Sequence, residues 1–188
     1  MQYGAEKQMI SKLEKNVKRD HGFGNPQYIK KLEKDNGVKL PPNYVAFILR
    51  HNGADINVEA FEYDNPYYPL DNEGAIFFSE IQDIQCTIDD LLAINIDDPG
   101  YFYKELIPFG DNGGGDYICF DYRECNTDNP PVIIWFHDIL DNSERIVFVA
   151  NNFEEFVDKL HEPYDLDDEA REARRQSLKK YRESHKNT

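Results

Sequence analysis

The run Val132-Ile133-Ile134-Trp135-Phe136-His137 constrains this chain more than any other stretch. Its apolar residues are consecutive instead of alternating. A strand with one wet face alternates, so a continuous run predicts a strand covered on both faces. Such a strand needs a sheet with an apolar layer on either side. The segments around it read as the neighbouring strands. Tyr117 to Asp121 is one, and Arg145 to Ala150 is another, reached through the turn Asp141-Asn142-Ser143. Ile107-Pro108-Phe109 leads into the loop Gly110-Asp111-Asn112-Gly113-Gly114-Gly115-Asp116, and residues 126 to 131 form a turn.

Helical spacing frames this β-rich half. Met9, Ile10, Leu13 and Val17 predict an amphipathic helix over residues 5 to 18, broken by His21-Gly22-Phe23-Gly24. Asn25-Pro26 offers an N-cap and a proline at the first helical position, with Tyr28, Ile29 and Leu32 as an apolar face and Gly37 as the stop. Pro41-Pro42 opens a third helix with Tyr44, Phe47 and Ile48 on one side, ended by Gly53. Residues 54 to 78 predict one or two short strands and a loop, with Ala75 to Phe78 as a strand. Ser79-Glu80-Ile81-Gln82 has the capping-box pattern, with Ile81, Ile84, Ile88, Leu91 and Leu92 at helical spacing. Asp97-Asp98-Pro99-Gly100 is a turn. Asn152 followed by Glu155 caps a last helix with Phe153, Phe156, Val157 and Leu160 inward. Helices at both ends of a strand meander give an α+β fold.

At 188 residues the chain is one domain and buries roughly 70 % of its unfolded surface, so it needs no disulfide or metal staple. No apolar run reaches the ~20 residues of a membrane-spanning helix. The opening residues, Met1 to Lys7, lack the apolar core of a secretory signal. Cys86, Cys119 and Cys125 are odd in number and without CxxC spacing, and read as reduced thiols in a cytoplasmic protein. Cys86 and Cys119 read as small core residues.

Charge narrows the partners. The net charge is −15, unevenly placed: residues 1 to 50 carry 10 basic and 5 acidic residues, whereas residues 51 to 168 carry 4 basic and 28 acidic. So acidic a middle segment repels nucleic-acid phosphates and anionic membranes and attracts a basic protein. The last stretch, residues 169 to 188, is basic again, with 7 cations and 3 acids, and has little to bury.

The order of motifs resembles one family. Leu40-Pro41-Pro42-Asn43-Tyr44-Val45-Ala46-Phe47-Ile48 followed by Asn52-Gly53 is similar to the LPxxYxxF…NG segment of the SUKH superfamily, which takes in fungal cell wall assembly regulators and many bacterial immunity proteins. Ile107-Pro108-Phe109-Gly110-Asp111 with Gly114-Gly115-Asp116-Tyr117-Ile118-Cys119-Phe120-Asp121 resembles its central motif. Pro131 to Asp138 resembles its PV…HD strand, and Ala150 to Phe156 its closing helix. These cover residues 25 to 161. The resemblance implies a binding protein without a catalytic centre. Many bacterial members neutralise a co-encoded polymorphic or contact-dependent toxin, often a nuclease; the fungal members imply instead a regulatory scaffold for endogenous signalling or cell-wall-assembly proteins.

Two local chemistries compete with that reading. Asp111, Asp116, Asp121, His137 and Asp138 could converge as a carboxylate–imidazole metal site. The loop lacks the calcium-loop signature, and its glycines suit a turn with positive φ. The triple glycine lacks the Gly-Lys-Ser/Thr of a phosphate loop. Neither a cofactor, nor a metal, nor catalytic residues are therefore expected. Tyr63, Tyr67, Tyr68, Tyr101, Phe102 and Tyr103 sit among Asp, Asn and Pro, where aromatics serve either as interface anchors or as caps on sheet edges.

The expectation is a single α+β domain over residues 1–165 with a mixed or mainly antiparallel sheet, and a charged C-terminal tail over 166–188, helical or frayed. It binds a basic toxin domain through Glu59, Glu62, Asp64, Tyr67, Tyr68, Asp97, Asp98, Tyr101, Tyr103, Asp111 and Asp116. It binds neither nucleic acid directly nor membrane, and is a monomer or weak homodimer.

Overall fold

The computed structural model describes residues 11–67, 73–139, 141–164 and 176. Helical residues 11–15 (α1) stop at Asn16. Val17–Arg19 (β1) then pairs antiparallel with Asp55–Ile56 (β2), Val17 opposite Ile56. The helix expected to run to residue 18 is thus shorter: Val17 keeps the helical spacing, but the strand partner takes its backbone. Residues 5 to 10 of that expected helix lie outside the described residues.

Pro26–Asn36 (α2) begins as expected, with Asn25 Oδ1 accepting from the Gln27 N–H at 2.9 Å, and closes on Gly37 at φ 68°. Ile29 and Leu32 are buried, whereas Tyr28 faces solvent. Pro42–Ile48 (α3) buries Tyr44, Phe47 and Ile48 completely. It ends at Ile48, and Gly53 lies in the turn beyond at φ 58°, where a Cβ would meet Glu80 Cγ at 2.6 Å.

Residues 54 to 78 hold more strands than expected. Ala60–Glu62 (β3) pairs with Glu73–Ala75 (β4), and Phe77–Phe78 (β5) joins a different sheet. The strand expected over Ala75 to Phe78 is broken at Ile76, whose N–H goes to Glu59 O at 2.8 Å. The capping box expected at Ser79 is not formed. Ile84–Ile94 (α4) starts later, after Asp83, because the buried amide of Asn52 claims the segment before it. Asn52 Oδ1 accepts from the Ile81 N–H at 2.8 Å and its Nδ2 donates to Gln82 Oε1 at 3.1 Å. Cys86 on α4 is exposed, contrary to expectation.

Leu106–Asp111 (β6), Tyr117–Asp121 (β7), Val132–Trp135 (β8) and Ile146–Ala150 (β9) complete a five-stranded sheet of order β5-β6-β7-β8-β9, antiparallel throughout. Gly110 and Asp111 belong to β6, paired with Phe78 and Phe77, so the glycine loop shrinks to residues 112–116. Phe136 and His137 leave β8 instead of extending it. Phe153–Lys159 (α5) follows, with Asn152 Oδ1 accepting from the Glu155 N–H at 2.8 Å.

Alternation divides the sheet between two cores, as the apolar run implies. Ile107, Phe109, Ile118, Phe120, Val132 and Ile134 face Tyr44 and Phe47 of α3 and Phe153 and Phe156 of α5. Phe109 stacks on Phe120 at 4.1 Å between ring centroids. On the other side Leu106, Cys119, Ile133 and Trp135 lie under Leu91 and Phe102. Burial pushes the Cys119 thiol well above its ordinary range, so it is an inert packing group. The fold is α+β. Among the described residues no helix is long and apolar enough to cross a membrane. The tail expected over 166–188 lies outside the described residues except for Gln176, which is helical and exposed.

Candidate functional site

Three segments meet at one end of the sheet: residues 112–116 between β6 and β7, residues 136–145 between β8 and β9, and residues 97–101 of the connection after α4. Each is shaped by short polar side chains. Asn112 Oδ1 accepts from the N–H groups of Gly114 at 2.8 Å and Asp116 at 3.1 Å, while its Nδ2 donates to Asp116 Oδ2 at 2.7 Å. Asp111 Oδ1 accepts from the Gly113 N–H at 2.8 Å. Gly115 takes φ 104°, and a Cβ there would stand 3.1 Å from His137 Nδ1, so both backbone and space require glycine.

This loop is tied to the next one. Asp116 Oδ1 accepts from the His137 N–H at 3.1 Å and faces His137 Nδ1 at 2.8 Å. The third connection closes over both. Asn142 Nδ2 donates to Asp98 Oδ1 at 2.7 Å and to Pro99 O at 3.2 Å. Trp135 Nε1–H donates to Tyr101 O at 3.0 Å.

Arg145 is the pin of the assembly. It is 5 % exposed. Its Nη1 donates to Phe136 O at 3.0 Å and His137 O at 2.5 Å, and its Nε to Asn142 Oδ1 at 2.7 Å. The guanidinium lies 4.4 Å from the Tyr101 ring centroid and 5.8 Å from that of Trp135. A cation held this way contributes rigidity but little positive potential at the surface. What reaches solvent around it is carboxylate: Asp97, Asp138, Asp141 and Glu144 are exposed, and Asp98, Asp111 and Asp116 partly so. Tyr67 reaches the same end, its hydroxyl donating to Glu144 O and its ring edge-on to Phe136 at 5.6 Å. Partial burial and then the nearby Asp111 charge push the Tyr117 hydroxyl above its ordinary value.

The eleven residues singled out from the sequence do not form one surface. Tyr67, Asp97, Asp98, Tyr101, Asp111 and Asp116 meet at this end. Glu59 pairs with Lys18 at 3.0 Å, away from it. Glu62 accepts from the Tyr164 hydroxyl at 2.6 Å and, with Asp64, lines a cleft of about 640 Å³ beside Lys159 and His161. Tyr103 packs under Arg123, 5.3 Å from its ring, by the far end of β7. Tyr68 lies outside the described residues. Two further aromatics offered as contacts, Tyr63 and Phe102, are buried core.

Of the five residues offered as metal ligands, the structure joins three: Asp116, His137 and Asp138, with ligand atoms within 4.8 Å of one another. Asp111 instead holds its own loop, and Asp121 grips Arg123 at 2.7 Å at the opposite end of β7. Both oxygens of Asp116 are already engaged in hydrogen bonds, to His137 and Asn112. Sequence reasoning missed Arg145, Asn142 and Glu144. The available signal was Arg145 itself, one of four cations among 28 acids in residues 51 to 168. An arginine in so acidic a stretch has many acceptors to choose from.

Comparison with known proteins agrees with this arrangement of motifs. The model of the SMI1 / KNR4 family (SUKH-1) matches residues 25–159. The SPbeta prophage-derived uncharacterized protein YokK of Bacillus subtilis (strain 168) is 27 % identical over 162 residues, which cover 76 % of this chain and 78 % of that protein.

Proposed function

We propose that this chain, which belongs to the SMI1 / KNR4 family (SUKH-1), is an immunity-type binding protein without catalytic activity that neutralises a co-encoded toxin, a nuclease, by covering its basic active surface. Family membership is consistent with an immunity-like role. The observation that carries the finer reading is the loop end of the sheet. Three connections locked by Asn112, Asn142 and Arg145 present Asp97, Asp98 and Asp111 with Tyr67 and Tyr101. A nuclease must hold phosphates on cations, and a rigid set of carboxylates competes for the same cations. The tyrosines supply apolar area that loses little entropy on contact. Rigidity matters because an ordered anionic loop spends less free energy on binding than a floppy one.

The test is co-expression with the toxin domain encoded beside this chain. The unaltered chain protects cells. The triple variant Asp97→Asn, Asp98→Asn, Asp111→Asn removes three charges but keeps the acceptor oxygens that face Asn142 and Gly113, so it should fold, lose protection, and associate at least about tenfold more slowly, and the unaltered chain should lose association rate as salt rises. Full protection by the triple variant would overturn the reading.

A further inference from the structure

We propose that β9 is an open sheet edge built to accept an extended strand from the partner protein, an apolar segment flanked by basic residues. β9 ends the order β5-β6-β7-β8-β9, so one side of it pairs with no strand among the described residues. The register fixes which groups face that side. The Phe136 N–H donates to Arg145 O at 2.8 Å, so Phe136 and Arg145 are a hydrogen-bonded pair. Two steps along, Ile134 opposite Val147 is another. Ile146 opposite Trp135 and Phe148 opposite Ile133 are the intervening pairs, whose N–H and C=O groups point away from β8. The other side of β8 gives the same parity: the Asp121 N–H donates to Pro131 O at 2.9 Å, which turns Ile133 and Trp135 toward β7. Neither Ile146 nor Phe148 makes an outward backbone hydrogen bond to another described residue.

The side chains agree with the backbone. Ile146 and Phe148 continue the layer of Trp135 and Ile133, but the cover from Leu91 and Phe102 does not reach across: Phe148 remains 53 % exposed. Native edges are usually blunted by lysine, proline or shortness. The strand Ile146–Ala150 holds neither lysine nor proline, and its one shift of register, at Val149, comes after Ile146 and Phe148. The opposite edge, by contrast, is only two residues long and is closed by the Phe78 N–H donating to Ala54 O at 3.2 Å. Lys159 Nζ donates to Val149 O at 2.5 Å and bounds the open stretch.

Charge selects the occupant. Asp141 and Glu144, both exposed, stand just before β9. A second copy of this chain would bring a further net charge of −15 against them. An extended segment with lysine or arginine beside its apolar residues is attracted instead, and strand addition supplies the main-chain hydrogen bonds. The inference rests on the chain being a binding protein and on the charges of Asp141 and Glu144, not on Asp97, Asp98 and Asp111.

The experiment follows amide hydrogen exchange in the full chain by NMR, with the probe peptide acetyl-Lys-Thr-Val-Thr-Val-Lys-amide. Ile146 and Phe148 amides should exchange fast in the free monomer and slow by at least about tenfold at saturating peptide. Phe148→Pro removes one outward N–H and spares the bonds to β8, so it should fold and abolish the protection at Ile146. Slow exchange of these amides in the free monomer would show that the chain covers its own edge. A dimer dissolved by Phe148→Pro would assign the edge to a second copy. Either result overturns the proposal, as does peptide protection confined to other strands or absent. Full toxin protection by Phe148→Pro would leave the proposed function standing and remove this edge from it. Peptide capture at β9 by a chain that neutralises nothing would do the reverse.

Discussion

One carboxylate oxygen of Asp116 meets His137 twice, accepting from its backbone N–H at 3.1 Å and lying 2.8 Å from its ring Nδ1. The contact joins the β6–β7 loop to the β8–β9 connection, and the other oxygen takes the Asn112 amide at 2.7 Å. Asp116→Ala therefore strands one backbone N–H and two side chains. A loss of about 1–3 kcal/mol is expected in urea denaturation. His137→Ala removes only the ring contact and should cost less. Equal losses for the two variants would mean that the ring, not the backbone bond, is the tie.

Arg145 should be the most sensitive residue of the three loops at this end of the sheet. Its guanidinium satisfies the carbonyls of Phe136 and His137 and the Asn142 amide oxygen while stacking on Tyr101. Arg145→Ala leaves these acceptors poorly served and removes the cation–π contact, an expected cost of about 2–4 kcal/mol. Arg145→Lys should recover only a minor part, since an ammonium cannot match a planar fork spread over three acceptors. Trp135 fluorescence reports the change directly, because the arginine also lies 5.8 Å from its ring. Full recovery by lysine would show that charge alone suffices.

Tyr44 is fully buried, and its hydroxyl has no hydrogen-bond partner among the described residues. Its ring packs edge-on to Phe109, Phe120 and Phe153, with centroids 5.6, 5.2 and 5.6 Å away. Burial alone pushes the phenol far above its ordinary range. Tyr44→Phe keeps the ring and deletes the stranded hydroxyl, so stability should hold or rise by up to about 1 kcal/mol. Tyr44→Ala opens a cavity and should cost about 3–5 kcal/mol. A loss above about 1 kcal/mol for Tyr44→Phe would reveal a hidden partner of the hydroxyl.

What could be read from the sequence depended on whether a residue answered to its neighbours in the chain or in space. Asn25, Gly37 and Asn152 cap their helices as local pattern dictates, because caps are made within a few residues. The run at Val132 reported its two covered faces because burial on both sides leaves no room for alternation. Val17 and Ser79 misled for the opposite reason. Their local patterns are helical, yet β2 takes the first and Asn52 claims the residues that follow the second. The candidate site was half legible. Clustered acids stood out, but nothing local shows that Asp98 meets Asn142, or that Glu59, Glu62 and Tyr103 lie elsewhere. Arg145 was overlooked because its partners are carbonyls, and carbonyls carry no letter in a sequence.

Asp20 sets the acid limit of one stabilising contact. Its carboxylate faces His51 Nδ1 at 2.6 Å and accepts from the Gly22 N–H at 2.9 Å, with His21 acting on it as well and Glu14 lying 4.0 Å from the other ring nitrogen of His51. The His51 hydrogen bond, then that of Gly22, holds the Asp20 pKa below its ordinary 3.8. A carboxyl lowered on folding binds fewer protons in the native state than in the unfolded one. Its contribution is complete above the unfolded value, therefore, and disappears as pH falls through the folded one. Asp20→Asn should be less stable than the unaltered chain at pH 7, and the gap should close between about pH 4 and pH 2. Urea midpoints at pH 7, 4, 3 and 2 measure it. A gap that stays constant down to pH 2 would place the effect in packing, because an amide and a protonated carboxyl fill the same space and differ only in their hydrogen bonds.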